Sequence, residues 1–167
     1  TILQNIADAV VFTDMSANIL YVNAAWETLN GYTLNEVIGK NPRILQGDQT
    51  PPETFQALWN TILEGKVWRG NLKNKRKDGS LYDAELTVAP VLGEDNQIQF
   101  FVGIERDVTE SLQLEAMKAR FIANAAHDLN NPISSLILRL DLLKRTPDRL
   151  DYHVNLMELQ VKYLADL

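Results

Sequence analysis

The chain has 167 residues, 46% hydrophobic and 23% charged, with no cysteine and a net charge of −6. Such values fit a cored domain with an appendage. They exclude disulfides, thiolate nucleophiles and cysteine-held metal, and they suit the reducing cytoplasm. Residues 1–109 carry nine basic and fourteen acidic side chains and residues 110–167 seven and eight, so neither part has the basic excess of a nucleic-acid binder.

In chain order, "AVVFTDMSANILYVN" (9–23) reads as two strands around a polar turn from Asp14 to Asn18. "AAWETLNGYT" (24–33) is a short helix stopped by Gly31, and "LNEVIGKNP" (34–42) a helical turn closed by Gly39 and Pro42. The clearest helix of this half spans 50–66, with Thr50 as its cap, Pro51 and Pro52 in its first turn, and a stripe of Phe55, Leu58, Trp59 and Ile62. Trp26 and Trp59 are expected to pack helices. Three strands follow over 67–77, 80–92 and 98–109, the first two joined by Asp78-Gly79, a strong hairpin signal. The cationic cluster Lys73, Lys75, Arg76 and Lys77 lies at that hairpin and reads as solvated. The expected architecture is an α+β unit over 1–109.

From Glu110 the period changes. Apolar residues recur in steps of three and four from Leu112 through Ile122, Leu129 and Ile133 to Leu143, the mark of one long amphipathic helix. Pro147 and Asp148 break it, and a second helix runs through Leu150, Val154, Met157, Val161 and Leu164. The expected product is an all-α hairpin whose apolar stripe pairs with a second copy as a dimeric four-helix bundle. The pattern continues to Leu167, so the chain reads as a piece of a longer protein. No membrane contact is expected within it; an anchor or further domains outside it are left open.

His127, Asp128, Asn131 and Pro132 fall within two turns of the long helix, beside its apolar seam. A carboxylate next to an imidazole can orient the ring and take its proton, which makes the other nitrogen nucleophilic. Asn131, one turn on, can position a water or a phosphoryl oxygen. Pro132 removes a backbone donor and invites a bend. For the pair alone, the plain reading is a surface histidine and an ordinary kink. His153, without comparable neighbours, reads as solvated.

The longer string "FIANAAHDLNNPISSL" resembles the phosphoacceptor box of sensor histidine kinases, with the following helices resembling their dimerisation and phosphotransfer hairpin. The resemblance implies that His127 is phosphorylated, that Asp128 assists as base, and that Asn131 helps dephosphorylate the partner. It also implies a homodimer, a response-regulator partner, and ATP delivered only through a domain absent here, so that the fragment is not active alone. Asn130 departs from the family, which usually carries a basic residue there.

Residues 1–109 resemble a PAS sensor domain through "NILYVNAAWETLNGYT", "EVIGKN", "RKDGS" and the terminal "RDVTE", where such domains hand over to a signalling helix. The resemblance implies an antiparallel five-stranded sheet with flanking helices, a coiled-coil linker over 110–122 and a truncated phosphotransfer hairpin over 123–167. "GKNPRILQGDQT" (39–50) is similar to the flavin box of LOV photoreceptors. That likeness implies FMN or FAD, with Asn41, Arg43 and Gln46 on its ribityl chain and phosphate, and Asn74 on the polar edge of its ring. Asp83 takes the place of a second edge asparagine, and Glu105 that of the glutamine beside N5. Pro42 replaces the adduct-forming cysteine, which excludes adduct photochemistry. "VWRG" and "FVGIERDVT" further resemble flavin-adenine-dinucleotide PAS domains of redox sensors, which implies that Trp68 lines the pocket.

The expectation is therefore the sensor and phosphoacceptor part of a two-component histidine kinase, with flavin redox state controlling His127. Light sensitivity through flavin photoreduction is a secondary possibility of that pocket. The alternative is a non-catalytic PAS dimerisation and binding module without flavin.

Overall fold

The computed structural model describes residues 7–145 and 150–165. It divides into two compact units, Thr1–Leu112 and Gln113–Leu167. The expected helix break at Pro147 and Asp148 lies outside the described residues.

The first unit begins with β1 (Ala9–Thr13) and β2 (Ile19–Val22). The turn between them is built by Asp14, whose carboxylate accepts from the amides of Ser16 and Asn18. Such local side-chain bonds are how aspartate reverses a chain, and Ala17 takes the positive φ that the reversal needs. Helix α1 (Ala24–Asn30) starts at Asn23, whose Oδ1 accepts from the amides of Val10 and Trp26, so one buried side chain caps the helix and ties it to β1. Gly31 closes it at φ 76° in the left-handed region. Helix α2 (Leu34–Val37) opens on a capping box between Thr33 and Glu36. A 3-10 turn, Pro42–Leu45, then leads to α3 (Pro52–Leu63).

Thr50 does not cap α3. Its hydroxyl lies 2.8 Å from the amide of Lys73 and accepts from it across 23 residues. Pro51 occupies the cap position without a side-chain bond. A hydroxyl buried against a strand edge does more for that edge than for a helix end already held by proline geometry.

Strands β3 (Trp68–Lys75), β4 (Leu81–Leu92) and β5 (Ile98–Asp107) complete an antiparallel sheet in the order β2-β1-β5-β4-β3. β5 is thus the middle strand, although it comes last in sequence. Its inner face carries Phe101, Gly103 and Glu105, and the neighbouring inner positions of β4 are Tyr82, Ala84 and Leu86. Two apolar groups fill the inner side, one around Val11, Ile19, Trp26 and Val37, the other around Leu58, Ile62, Trp68, Leu72 and Phe101. The fold expected from the sequence, an α+β unit with a five-stranded antiparallel sheet, is the one observed.

Helix α4 (Thr109–Arg145) follows and contains Pro132; α5 (Leu150–Ala165) makes the helical hairpin with it. Within the hairpin Pro132 and His153 are buried, whereas Phe121, Ile122, Leu129, Ile137 and Leu140 stand exposed in the single chain. His153 was expected to be solvated, yet it is 7% exposed, its ring edge-on to Tyr152 at 5.4 Å. The placement of α5 decides this, since nothing local in the sequence distinguishes the two histidines by burial. No helix among the described residues is long and apolar enough to cross a membrane.

Candidate functional site: a lined cavity and an exposed histidine

A cavity of about 220 Å³ lies between the inner face of the sheet and the segments that cover it. Its apolar wall includes Leu58, Leu72, Leu86, Val88 and Phe101. Trp26 and Trp59 also line it, a role the sequence reading did not assign them. Both remain packed helix residues, and Trp59 meets Phe101 edge to face at 6.0 Å. The signal was present in the stripe Phe55–Leu58–Trp59–Ile62, but a helix stripe does not say whether it faces a filled core or a void.

Five of the seven expected cavity residues converge there: Asn41, Arg43, Gln46, Asn74 and Glu105. Asn41 and Arg43 come from the 3-10 turn, where Asn41 Oδ1 accepts from the Arg43 amide at 2.9 Å and sets the start of the turn. Gln46 follows it and forms a bridge with Asn74 of β3, which fixes the turn against the sheet. Glu105 is 3% exposed on the middle strand. Its Oε1 accepts from Asn74 Nδ2 at 2.6 Å and lies 2.7 Å from the Tyr82 hydroxyl. That hydroxyl also lies 2.6 Å from Asn30 Oδ1.

The Tyr82 hydroxyl lies between the Glu105 carboxyl, to which it donates, and the side-chain amide of Asn30, whose Nδ2 is buried without a partner among the described residues. Burial pushes the Glu105 carboxyl above its usual range, and the bonds from Tyr82 and Asn74 only partly offset this. Burial, then the nearby Glu105 charge, likewise raise the Tyr82 phenol.

Two expected residues lie elsewhere. Asp83 is half-buried outside the cavity and pairs with Lys73 at 2.5 Å. Side chains alternate along a strand, so with Tyr82 and Ala84 facing inward Asp83 must face outward. Ala84, fully buried, holds the inward position instead. Trp68 is buried in the core beside Leu58 and Leu72, but its ring folds over Gly70 and is not part of the cavity wall. A β-carbon at Gly70 would meet that ring at 2.5 Å.

On α4 the His127 side chain is 72% exposed. Its Nδ1 is 3.3 Å from Asp128 Oδ1, and Asn131 Nδ2 is 3.4 Å from either ring nitrogen. Adjacent helical residues do not face each other, which explains the long His–Asp approach; Asn131, one turn away, does share the histidine's face. Proline at 132 cannot donate to the carbonyl four residues earlier, which is that of Asp128. The loosened backbone therefore sits immediately after the histidine. Among the described residues, no group of three or more metal-ligand side chains is present.

Residues 7–110 match the model of the PAS domain, and residues 117–167 that of the His Kinase A (phospho-acceptor) domain. A nitrogen fixation regulatory protein of Klebsiella oxytoca is 33% identical over 138 residues, covering 83% of this chain and 28% of that protein. The chain thus spans little more than a quarter of this relative's length. The solved LOV domain of a blue-light activated histidine kinase from Erythrobacter litoralis is 30% identical, with TM-score 0.59, covering 63% of this chain and 99% of that one. A light-oxygen-voltage domain solved for a study of a flavin analogue is 28% identical, with TM-score 0.59, covering 70% and 88%. The chain belongs to the PAS domain family, its PAS domain followed by a His Kinase A phospho-acceptor domain.

Proposed function

We propose that the PAS domain binds a flavin and that the flavin's redox state controls phosphorylation of His127, from which phosphate passes to an aspartate of a response regulator. The observation that carries the sensing half is the convergence of Asn41, Arg43, Gln46, Asn74 and Glu105 on one cavity walled by Trp26, Trp59 and Phe101. The donor set fits: a planar apolar ring needs such walls, and its polar edge needs a few amide and carboxyl partners. The cavity suits a ring rather than a whole dinucleotide, which leaves a phosphate-bearing tail for Asn41 and Arg43 at the 3-10 turn. The likeness to light-oxygen-voltage domains, one solved for a study of a flavin analogue, supports the same choice.

When bound, a flavin supplies electron-transfer chemistry and absorbs blue light. Asn74 orients the ring edge, and Glu105, its carboxyl raised by burial, presents a hydrogen-bonding group at the cavity wall. Pro42 offers no thiol, so signalling rests on redox state without an adduct.

In the second unit, Asp128 orients and deprotonates the exposed His127, and Asn131 positions the water that later removes phosphate from the regulator. Residues 110–122 serve as the linker between sensor and phosphoacceptor, and two chains pair through the exposed apolar stripe of the hairpin. ATP comes through a separate domain, which places the reaction in the cytoplasm.

Two measurements test the proposal. A visible spectrum of the freshly purified chain before and after dithionite should show a flavin that bleaches reversibly; a protein that stays colourless after incubation with FMN and FAD would refute the sensing half. Radiolabelling with ATP and a separately produced ATP-binding domain should label wild type and not His127→Gln, and Asp128→Asn should lose most of the label while remaining dimeric. Labelling of His127→Gln at the wild-type level would leave a binding module.

A further inference from the structure

Glu105 is separated from the first turn of α4 by only three residues, but the side chains around it offer a second path. The Tyr82 hydroxyl, 2.7 Å from Glu105, belongs to a ring whose face carries the Arg76 guanidinium at 4.3 Å from the centroid. Arg76 comes from the β3–β4 hairpin, and each of its nitrogens is committed. Nε donates to the Leu29 carbonyl at 2.9 Å, Nη1 lies 3.3 Å from the Ser80 hydroxyl, and Nη2 pairs with Asp107 Oδ2. The other oxygen of Asp107 accepts from the Thr109 amide at 2.9 Å, an N-terminal capping bond for α4. The Thr109 hydroxyl in turn accepts from the amide of Asp83 at 2.8 Å, and Val108 donates to the Asp83 carbonyl. Asp83 is the residue next to Tyr82. The first turn of α4 is thus held at two points, and both lead back to Tyr82.

We propose that Tyr82 and Arg76 are positioning residues that carry a change at the Glu105 end of the cavity to the Asp107–Thr109 cap of α4. When Glu105 gains or loses a proton, or a ligand draws on it, the short hydrogen bond between Glu105 and the Tyr82 hydroxyl changes strength. The ring moves or changes its charge distribution, and the stacked guanidinium follows because its attraction to the ring face depends on both. Arg76 is anchored at Leu29, Ser80 and Asp107, so a displacement of the guanidinium bears directly on Asp107 and the cap. The groups facing Glu105 are Tyr82 from β4, Asn74 from β3 and Asn30 from α1; the nearby charges are Arg76 and Asp107. The inference requires the cavity to be the sensing site, but not that its occupant be a flavin.

The test is nuclear magnetic resonance on the full chain, with labelled backbone amides and glutamate carboxyls, from pH 5 to 9 and without added ligand. The Thr109 amide should titrate with the same midpoint as the Glu105 carboxyl, and the response should vanish in Glu105→Gln. In Arg76→Met the Glu105 carboxyl should still titrate while the Thr109 response falls at least twofold. Arg76→Lys, which keeps charge beside Asp107 but not the planar stack, should recover only part. Tyr82→Phe should behave as Arg76→Met, and a dispersed amide spectrum certifies folding of each variant. Should Tyr82→Phe not fold, the arginine pair decides alone. A Thr109 response of full size in Arg76→Met would show that the signal runs along β5 itself and would overturn the inference. So would a Thr109 amide that does not follow Glu105. Because no flavin is added, failure here is distinct from a colourless protein in the spectral test.

Discussion

Replacing Tyr82 by phenylalanine removes one oxygen and leaves the ring, its burial and the overlying Arg76 in place. The hydroxyl is within 2.7 Å of both Asn30 Oδ1 and Glu105 Oε1, and the residue is 1% exposed, so no water replaces the lost donor. A buried polar group stripped of its partner costs about 1–3 kcal/mol. Glu105 keeps the bond from Asn74, so the loss should amount to one such group rather than two. For a domain of this size that corresponds to a fall in Tm of roughly 4–15 °C.

The penalty should also depend on pH. The Tyr82 bond favours the charged form of Glu105, so its removal raises an already raised carboxyl further. A raised carboxyl contributes stability that is fully present below its unfolded value and lost as pH rises through its folded value. Tyr82→Phe should therefore cost more at pH 8 than at pH 5, and far less in a Glu105→Gln background. All three tryptophans lie in the PAS domain, so urea titrations followed by their fluorescence report this unit alone. A loss below about 0.5 kcal/mol at every pH, the range of an ordinary surface substitution, would refute the buried-network reading. A penalty that shrinks with rising pH would refute the sign.

Glu36 tests the opposite sign. Lys77, and after it the Thr33 amide, hold its carboxyl down at about 2 from an ordinary 4.5. A depressed carboxyl contributes stability present above its unfolded value and lost as pH falls through the folded one. Glu36→Gln should thus be less stable than wild type at pH 6, and the two should converge near pH 2; a constant difference in acid titrations would count against the pairing. In α4, Pro132→Ala restores the backbone donor, and an interior proline costs a helix about 3 kcal/mol. Circular dichroism at 222 nm should show the helical signal surviving to higher temperature, with slower phosphotransfer from His127. Unchanged melting would mean that the surrounding packing had already absorbed the proline.

Much of this protein was legible wherever structure is governed by neighbours in the chain. Gly31 ends α1, Asp78-Gly79 joins β3 to β4, and Asp14 turns β1 into β2 because each acts through bonds within a few residues. The period change at Glu110 marked the helical hairpin for the same reason. The string around His127 could be read directly, since its members share two turns of one helix. The cavity was legible only in part: Asn41, Arg43 and Gln46 lie on one short segment, and Asn74 and Glu105 sit in recognisable strand motifs.

What remained belongs to the tertiary structure. The β4 register turned Asp83 outward and Ala84 inward, because a shift of one residue exchanges the faces of a strand. The packing of α3 on the sheet left a void beside Trp59 where a stripe alone suggested filled core. The Thr50 hydroxyl found a strand amide 23 residues away, and α5 buried His153. The cluster of Asn30, Asn74, Tyr82 and Glu105 unites four elements separated by up to 75 positions in sequence. No local pattern encodes such a meeting. It exists because β5, the last strand made, closes into the middle of the sheet and carries its carboxyl into the interior.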